Sequence, residues 1–295
     1  MESLVADYLD MLHLRSRAKT TITNYRYTLN YFLRFLAEHA PDRLDSPERV
    51  KPRDVTRFLA WRKDAGAAES SVVKHYSDLS SFWNWVVYEE DLPKNPMHRV
   101  ERPSLTVKPV PVVSPDTLRK LLALESKTAL LTKRNRAMIL VLLDTGVRAG
   151  ELVSMRLDGV DFQRQTVRVD GKTGVRDVAF GKATAVALRR YLRARKGSRY
   201  AGTDALWVGD RGPIGYAGVQ LTLARYSERA GVGHIHPHQF RHTFAASWKA
   251  SGGSEGDLMT LGGWRTAAQL HRYGAVGKAE RARKAHSVHS PVDRL

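Results

Sequence analysis

The sequence contains no cysteine among its 295 residues, so it has no disulfide framework, no thiol nucleophile and no thiolate metal site. It also lacks any run of about 18 consecutive apolar residues, the length that a membrane-spanning helix needs. The N-terminus, MESLVADYLD, is acidic and periodic, unlike a signal peptide. We therefore expect a cytoplasmic protein with no membrane partner, whose catalytic nucleophile would be an oxygen or a nitrogen.

Acidic residues are scarce relative to basic ones. Lys and Arg number 48 against 30 Asp and Glu, which leaves a formal charge of +18. A polyanion is the natural partner of such a chain, with nucleic acid ahead of an anionic membrane surface. The length predicts about two domains, and an apolar content of 42% is enough for ordinary packed cores.

The first 92 residues have the apolar spacing of amphipathic helices and no strand pattern. Four helices are predicted, over residues 4–12, over 20–39, from 52 to a stop at Gly66, and from 70 or 71 onwards. This pattern is typical of a small helical bundle. Basic residues near the helix ends either form a solvated face or contact phosphate: Arg15, Arg17, Lys19, Arg26, Lys51, Arg53, Arg62, Lys63 and Lys74.

Six of the twelve prolines fall between residues 91 and 115, interleaved with basic residues. A segment so rich in proline is extended and cannot be a helix. We interpret residues 93–113 as a linker between domains, basic enough to follow a DNA backbone.

The second domain is predicted to span residues 114–275. Ser114 and Pro115 are an N-cap and a first-turn proline, and residues 135–144 form an almost entirely apolar, buried helix. Alternation over 166–169 and 175–180 around DGKTG predicts a β-hairpin, with Lys172 at its tip. Helices over 183–195 and 217–230 and a short strand at 205–208 complete a mixed α/β, mostly helical domain with a small antiparallel sheet.

Two segments of this domain pair an arginine with a second functional residue three positions away. Gly146 permits a turn, after which Arg148 and Glu151 begin a helix. Pro237 suits a first helical turn and places His238 and Arg241 on one face, where both can point at one ligand.

Each of these residues taken alone has an ordinary explanation. A single Arg or a turn Lys is usually solvated or ion-paired, and a Trp or Tyr is usually a packing residue. His238 and His242 are one helical turn apart, but they are poor candidates for zinc ligands. HQFRH lacks the internal Glu of zinc proteases, and no carboxylate follows within ten residues. The order and spacing of the motifs, rather than any one residue, indicate function.

Five motifs stand in one order along the second domain: TGVRAGEL around Arg148, GKTGVRDV around Lys172, HQFRHT from His238 to Thr243, LGGW ending at Trp264, and Tyr273 nine residues later. With them, the second domain resembles the catalytic domain of the tyrosine recombinase (phage integrase) family. TTITNYRYTLNYFLRFL in the first domain resembles that family's helical, SAM-like core-binding domain. The resemblance implies a site-specific recombinase that integrates and excises a phage or mobile element. Its alternatives are a Xer-like resolution enzyme, a type IB topoisomerase and a non-catalytic DNA-binding relative.

The resemblance also implies a role for each candidate residue. Arg148 and Arg241 hold the DNA phosphate, Tyr273 is the nucleophile, His238 is a candidate base, and Lys172 is the general acid for the leaving 5′ hydroxyl. Trp264 replaces the His of many relatives, and its indole either donates to the phosphate or packs behind Tyr273. Glu151 holds Arg148 or a neighbour in orientation.

The expected partners are double-stranded DNA, a homotetramer on synapsed sites, and accessory directionality or host factors. No cofactor or metal is expected, because the phosphotyrosine bond keeps the energy of the broken strand. By resemblance, the tail at residues 276–295 docks on a neighbouring protomer.

Overall fold

A computed structural model describes residues 1–106, 111–171 and 174–267, together with Leu270, His286 and Val292. The chain divides into two units, Met1–Lys108 and Pro109–Leu295. Lys172, Tyr273 and nearly all of the predicted tail lie outside the described residues.

The first unit is helical, as its apolar spacing predicts. Its four α-helices are α1 (Glu2–Leu14), α2 (Lys19–His39), α3 (Pro52–Asp64) and α4 (Glu69–Glu89). Two 3₁₀ turns, Pro41–Arg43 and Pro47–Arg49, connect α2 to α3. Large aromatic side chains fill the core, where the rings of Phe32 and Phe58 meet edge to face at 5.2 Å and Trp83 is fully buried.

The proline-rich segment is non-helical where it is described, but its first half belongs to the first unit. Met97 and Val100 are buried in the same core as the four helices. The unit therefore continues to Lys108, beyond the predicted boundary at residue 92. Apolar side chains between the prolines explain this difference, since they bury area that an exposed linker would leave in water.

The second unit is mainly helical with small antiparallel sheets. Its α-helices are α5 (Pro115–Ala123), α6 (Ala129–Thr145), α7 (Ala149–Val153), α8 (Lys182–Arg195), α9 (Tyr216–Arg229), α10 (Pro237–Ala250) and α11 (Glu255–Gly262). Its strands are β1 (Val160–Asp161), β2 (Thr166–Gly171), β3 (Gly174–Ala179), β4 (Val208–Gly209) and β5 (Gly212–Pro213). The first three strands form one sheet in the order β1-β2-β3, and β4 pairs with β5.

Helix α6 is the central element of the second unit, as its apolar sequence predicts. Its inward residues Ala137, Val141 and Leu142 are fully buried. The helix begins six residues before the predicted start at 135, because the Thr128 hydroxyl caps it by accepting from the Leu131 amide at 3.3 Å. It ends at Gly146, whose φ of +61° is the left-handed conformation that glycine adopts without strain.

The predicted hairpin is confirmed, with Gly171 of β2 paired to Gly174 of β3. The predicted strand at 205–208 is only partly present, since Val208 enters β4 while Ala205 makes an isolated bridge to Arg156. Strand β1 was not predicted, because two residues are too few to show alternation. Among the described residues, no helix is both long and apolar enough to cross a membrane.

Candidate active site

The first arginine of the site is presented by the turn between α6 and α7. Gly146 turns the chain, and Arg148 follows as the N-cap residue of α7. A side chain at position 146 would clash with Phe244, since a Cβ there would overlap the Phe244 ring. The turn is therefore restricted to glycine by conformation and by space together, which fixes the direction in which Arg148 leaves α7.

Glu151 holds Arg148 from inside the protein. One carboxylate oxygen of Glu151 accepts from the Arg148 backbone amide and the other from its guanidinium Nη1, each at 2.9 Å. The Glu151 side chain is 2% exposed, whereas that of Arg148 is 35% exposed and lines a cleft of about 570 Å³. A buried carboxylate thus orients a guanidinium that still reaches solvent.

The same carboxylate binds a second arginine, which the sequence motifs did not predict as a site residue. Arg176 of β3 donates from Nη1 and Nη2 to the two oxygens of Glu151, both at 2.9 Å. One signal pointed to it: Arg176 is two residues before Val178, so both face the interior side of the strand. An inward arginine needs a buried acidic partner.

Burial alone raises the pKa of the Glu151 carboxyl. Hydrogen bonds from Arg176 and from the Arg148 backbone, together with the charges of both guanidinium groups, outweigh burial and hold that pKa below its ordinary value. The Glu151 carboxylate is therefore ionised in the folded protein at neutral pH.

Arg241 lies on α10, where Pro237 occupies the first helical turn as predicted. Its side chain is almost fully buried, and Nη1 donates to the carbonyls of Gly146 at 2.8 Å and Gly262 at 2.7 Å. Arg148 approaches the next carbonyl, that of Gly263, at 3.5 Å. Two arginines distant in sequence therefore share the turn that ends α11.

Trp264 follows that turn and is buried against Arg241. The Arg241 guanidinium carbon lies 3.7 Å from the centroid of the Trp264 ring, a cation–π stacking distance. Leu270 packs in the same apolar cluster as Trp264 and is fully buried. Leu270, which is three residues before Tyr273 in the sequence, therefore lies in the same cluster as the Trp264 ring that stacks on Arg241.

His238 is on the exposed side of α10 and lines the cleft together with Arg148 and Glu151. Its ring lies 4.4 Å from that of His242, edge to face. Gly171, the residue before Lys172, also lines the cleft. Tyr216 and Gln220 of α9 also line the cleft, and nothing in their sequence spacing predicted this.

A larger cavity of about 1140 Å³ lies elsewhere in the second unit, between α6, the β4–β5 hairpin and α9, and contains none of the predicted site residues. Within the described part of the chain, no group of three or more His, Asp or Glu side chains is arranged to hold a metal ion. The 570 Å³ cleft, with Arg148, Glu151 and His238 in its wall, is the candidate site. Guanidinium groups beside one cleft are the arrangement expected of a protein that binds a phosphate ester.

Comparisons with known proteins agree with this class of site. The model of the phage integrase family matches residues 111–280, and that of the phage integrase N-terminal SAM-like domain matches residues 5–90. The chain belongs to the phage integrase family of tyrosine recombinases. Homologues in this family are DNA strand-transferring enzymes, and site-specific recombination is the activity that they support for this chain.

Two relatives show how far the likeness extends. Tyrosine recombinase XerC of Bacillus pumilus (strain SAFR-032) is 28% identical over 299 residues, covering 98% of this chain and 97% of that protein. Tyrosine recombinase XerC of Roseiflexus castenholzii (strain DSM 13941 / HLO8) is 30% identical over 238 residues, covering 78% and 75%. Among solved structures, the Tn1549 transposon integrase in complex with circular intermediate DNA has a similar fold, with a TM-score of 0.74, 18% identity and coverage of 96% and 98%.

Proposed function

We propose that this chain is a site-specific recombinase that cuts DNA with Tyr273 and rejoins it through a 3′-phosphotyrosine intermediate. The observation that supports this most is the arrangement of Arg148 and Arg241, which contact the consecutive carbonyls of Gly263 and Gly262. A phosphate bound at Arg148 would have a second, buried positive charge close behind it.

The two arginines suit the charge of the reaction. A phosphodiester is an anion that repels an attacking oxygen, and guanidinium groups neutralise it and stabilise the charge that builds in the transition state. Arg148 is exposed enough to touch DNA, while Arg241 is held rigidly by two carbonyls and the Trp264 ring. Little reorganisation is then needed when the phosphate arrives.

In the proposed step, the Tyr273 oxygen bonds to phosphorus and the bond from phosphorus to the 5′ oxygen breaks. A phenol with an ordinary pKa near 10 costs about 4 kcal/mol to ionise at neutral pH, which His238 as base and the nearby cations reduce. Lys172 delivers the proton that the 5′ oxygen needs to leave. Rejoining reverses these transfers at a second 5′ hydroxyl, so atoms and charges balance without a cofactor.

The proposed partner is double-stranded DNA. The net charge of +18 and the DNA complex of the Tn1549 integrase support it. Exchange between two duplexes breaks four strands and so needs four tyrosines, for which a homotetramer is the simplest assembly. Accessory or host proteins would set its direction, and the cytoplasm is where such an enzyme would meet its DNA.

Two biological roles fit this chemistry, and the names of the relatives favour one of them. The two relatives described above are both named XerC, which favours resolution between like sites over integration and excision of a mobile element. A plasmid carrying two copies of the DNA site that the protein cleaves would be resolved into two circles by a resolution enzyme. An integrase would instead recombine two unlike sites, and a type IB topoisomerase would exchange no flanking DNA.

The nucleophile is tested on a nicked duplex that traps the covalent intermediate. Tyr273→Phe should bind DNA with near-normal affinity and form no covalent adduct on a denaturing gel. The matched change Tyr216→Phe removes a phenol that lies in the candidate cleft, and it should still form the adduct. An adduct that persists in Tyr273→Phe and disappears in Tyr216→Phe would overturn the assignment.

A further inference from the structure

Arg176 connects three parts of the candidate site. Its guanidinium binds both oxygens of Glu151, and it also donates to the carbonyls of Leu261 at 3.4 Å and Gly262 at 3.3 Å. The side chain is only 15% exposed. A Cβ on Gly263 would lie 3.0 Å from its guanidinium carbon, so the turn after α11 packs directly on Arg176.

The contact between Arg176 and Glu151 also changes the charge of the site, in addition to fixing the position of the carboxylate. A carboxylate paired with Arg148 alone would cancel the positive charge that Arg148 must offer to a phosphate. With Arg176 on the same carboxylate, two positive charges surround one negative charge and the group keeps a net charge of +1. Because Glu151 is 2% exposed, water screens this balance little.

The geometry of the Arg176–Glu151 and Arg148–Glu151 pairs indicates different roles for the two arginines. Arg176 takes both carboxylate oxygens in a bidentate pair, whereas the Arg148 guanidinium takes one and its backbone amide the other. Arg176 is also the less exposed of the two arginines. The carboxylate is therefore bound more tightly on the Arg176 side, and the Arg148 fork has donors left for a ligand in the cleft.

We propose that Arg176 is a positioning residue for strand cleavage, which neutralises Glu151 so that Glu151 can orient Arg148 without cancelling its charge. Through the carbonyls of Leu261 and Gly262, Arg176 also ties this group to the turn that Arg241 binds and that leads to Trp264. The inference rests on the proposed function, since it assigns Arg148 to the DNA phosphate.

The test measures the single-turnover rate of adduct formation on the nicked duplex for four variants. Arg176→Gln should slow cleavage about 10- to 100-fold, the usual effect of losing a partner of a functional side chain. Arg176→Lys keeps the charge beside Glu151 and should stay within about 10-fold of the wild type. Arg168→Gln is the matched control, because it removes a charge from the same sheet at a side chain that is 67% exposed and pairs with Asp177. It should react at the wild-type rate.

The fourth variant separates charge from bracing. Glu151→Gln combined with Arg176→Gln removes the negative charge along with its neutralising partner, so Arg148 recovers its charge. This double variant should cleave faster than Arg176→Gln alone. If Arg176 only braces the α11 turn, the second substitution cannot help, and a double variant as slow as Arg176→Gln or slower would overturn the inference.

The wild-type reaction distinguishes the two levels of the proposal. A wild-type protein that forms no adduct contradicts the proposed function itself. A wild-type protein that reacts, with Arg176→Gln and Arg168→Gln equally fast, contradicts only the role of Arg176. Thermal unfolding of each variant identifies a loss of rate that comes from a loss of fold. Should Arg176→Gln not fold, Arg176→Lys decides: a rate within about 10-fold of the wild type supports the inference, and a larger loss contradicts it.

Discussion

Arg241 shows how a single side chain can be buried and still serve a charged ligand. Its guanidinium has neutral partners in the Gly146 and Gly262 carbonyls and the Trp264 ring, so these contacts fix its direction without cancelling its charge. A cation held in this way is costly to bury. Its position beside Arg148 explains why the fold retains it.

Trp264 allows a test of this residue-scale account. A desolvated cation–π contact is worth about 2 kcal/mol, so Trp264→Leu should slow adduct formation about 30-fold. Trp264→Phe keeps an aromatic face on Arg241 and should lose only a few-fold. The single-turnover rate on a nicked duplex measures both. Equal losses in the two variants would instead assign the effect to the indole N–H, the other role that the sequence allowed.

The sequence predicted the region of the site better than its contacts. The order of the motifs predicted that one region contains Arg148, Glu151, Arg241 and Trp264, and the structure places them there. It did not reveal that Trp264 faces Arg241, because a Trp after two glycines is equally typical of ordinary packing. Arg176 was missed because its partner is 25 residues away in another element. Lys172 and Tyr273 lie outside the described residues, so their placement stays a prediction.

At the scale of elements, a partly buried hydrogen-bond network joins three helices of the first unit. Arg62 of α3 donates to His75 Nε2 at 3.4 Å, and His75 Nδ1 lies 2.9 Å from the Thr28 hydroxyl. Thr28 in turn donates to Asp78 at 2.8 Å, and Lys74 binds the same carboxylate. Since Nε2 accepts, Nδ1 carries the hydrogen and His75 is neutral.

The hydrogen bonds around His75 predict that the folded protein loses stability in acid. Burial, with the charges of Arg62 and Lys74 outweighing that of Asp78, lowers the pKa of His75 to about 4. The unfolded chain takes up its proton near pH 6.5 and the folded chain does not, so stability is complete above pH 6.5 and falls as the pH drops towards 4. Between pH 7.5 and pH 5 the loss should be about 2 kcal/mol.

Urea unfolding of the full chain at several pH values measures this loss. His75→Gln has no ionisable group and should show a pH dependence that is smaller by the same amount. Equal pH dependence in wild type and variant would mean that His75 has the same pKa in the folded and the unfolded chain, which would contradict the prediction.

Most elements followed from spacing in the sequence, and the exceptions have physical causes. The early start of α6 comes from the Thr128 cap and from Arg134 and Asn135, polar residues that are buried and hydrogen-bonded to each other. A pattern of apolar residues cannot detect such pairs. Helix α4 begins at Glu69, one or two residues before the predicted start. Strands β4 and β5 were less predictable because each has two residues, too few to show alternation.

At the scale of the whole molecule, the charge and the family membership point in one direction. A chain with a charge of +18 has the electrostatics to hold DNA, and its second unit has a cleft lined by Arg148 and backed by Arg241. The first unit belongs to the SAM-like domain that accompanies this catalytic domain in the family. Under the proposed function both units bind DNA, and the count of strands exchanged calls for several copies of the chain.

The most direct measurement is the identity of the residue that becomes attached to DNA. Trypsin releases Tyr273 in the peptide YGAVGK, residues 273–278, in which the phenol is the only side-chain hydroxyl. Wild-type protein trapped on a nicked duplex should yield this peptide with a nucleotide bonded to its tyrosine in mass spectrometry. A nucleotide carried by any other peptide, with YGAVGK recovered unmodified, would contradict the account.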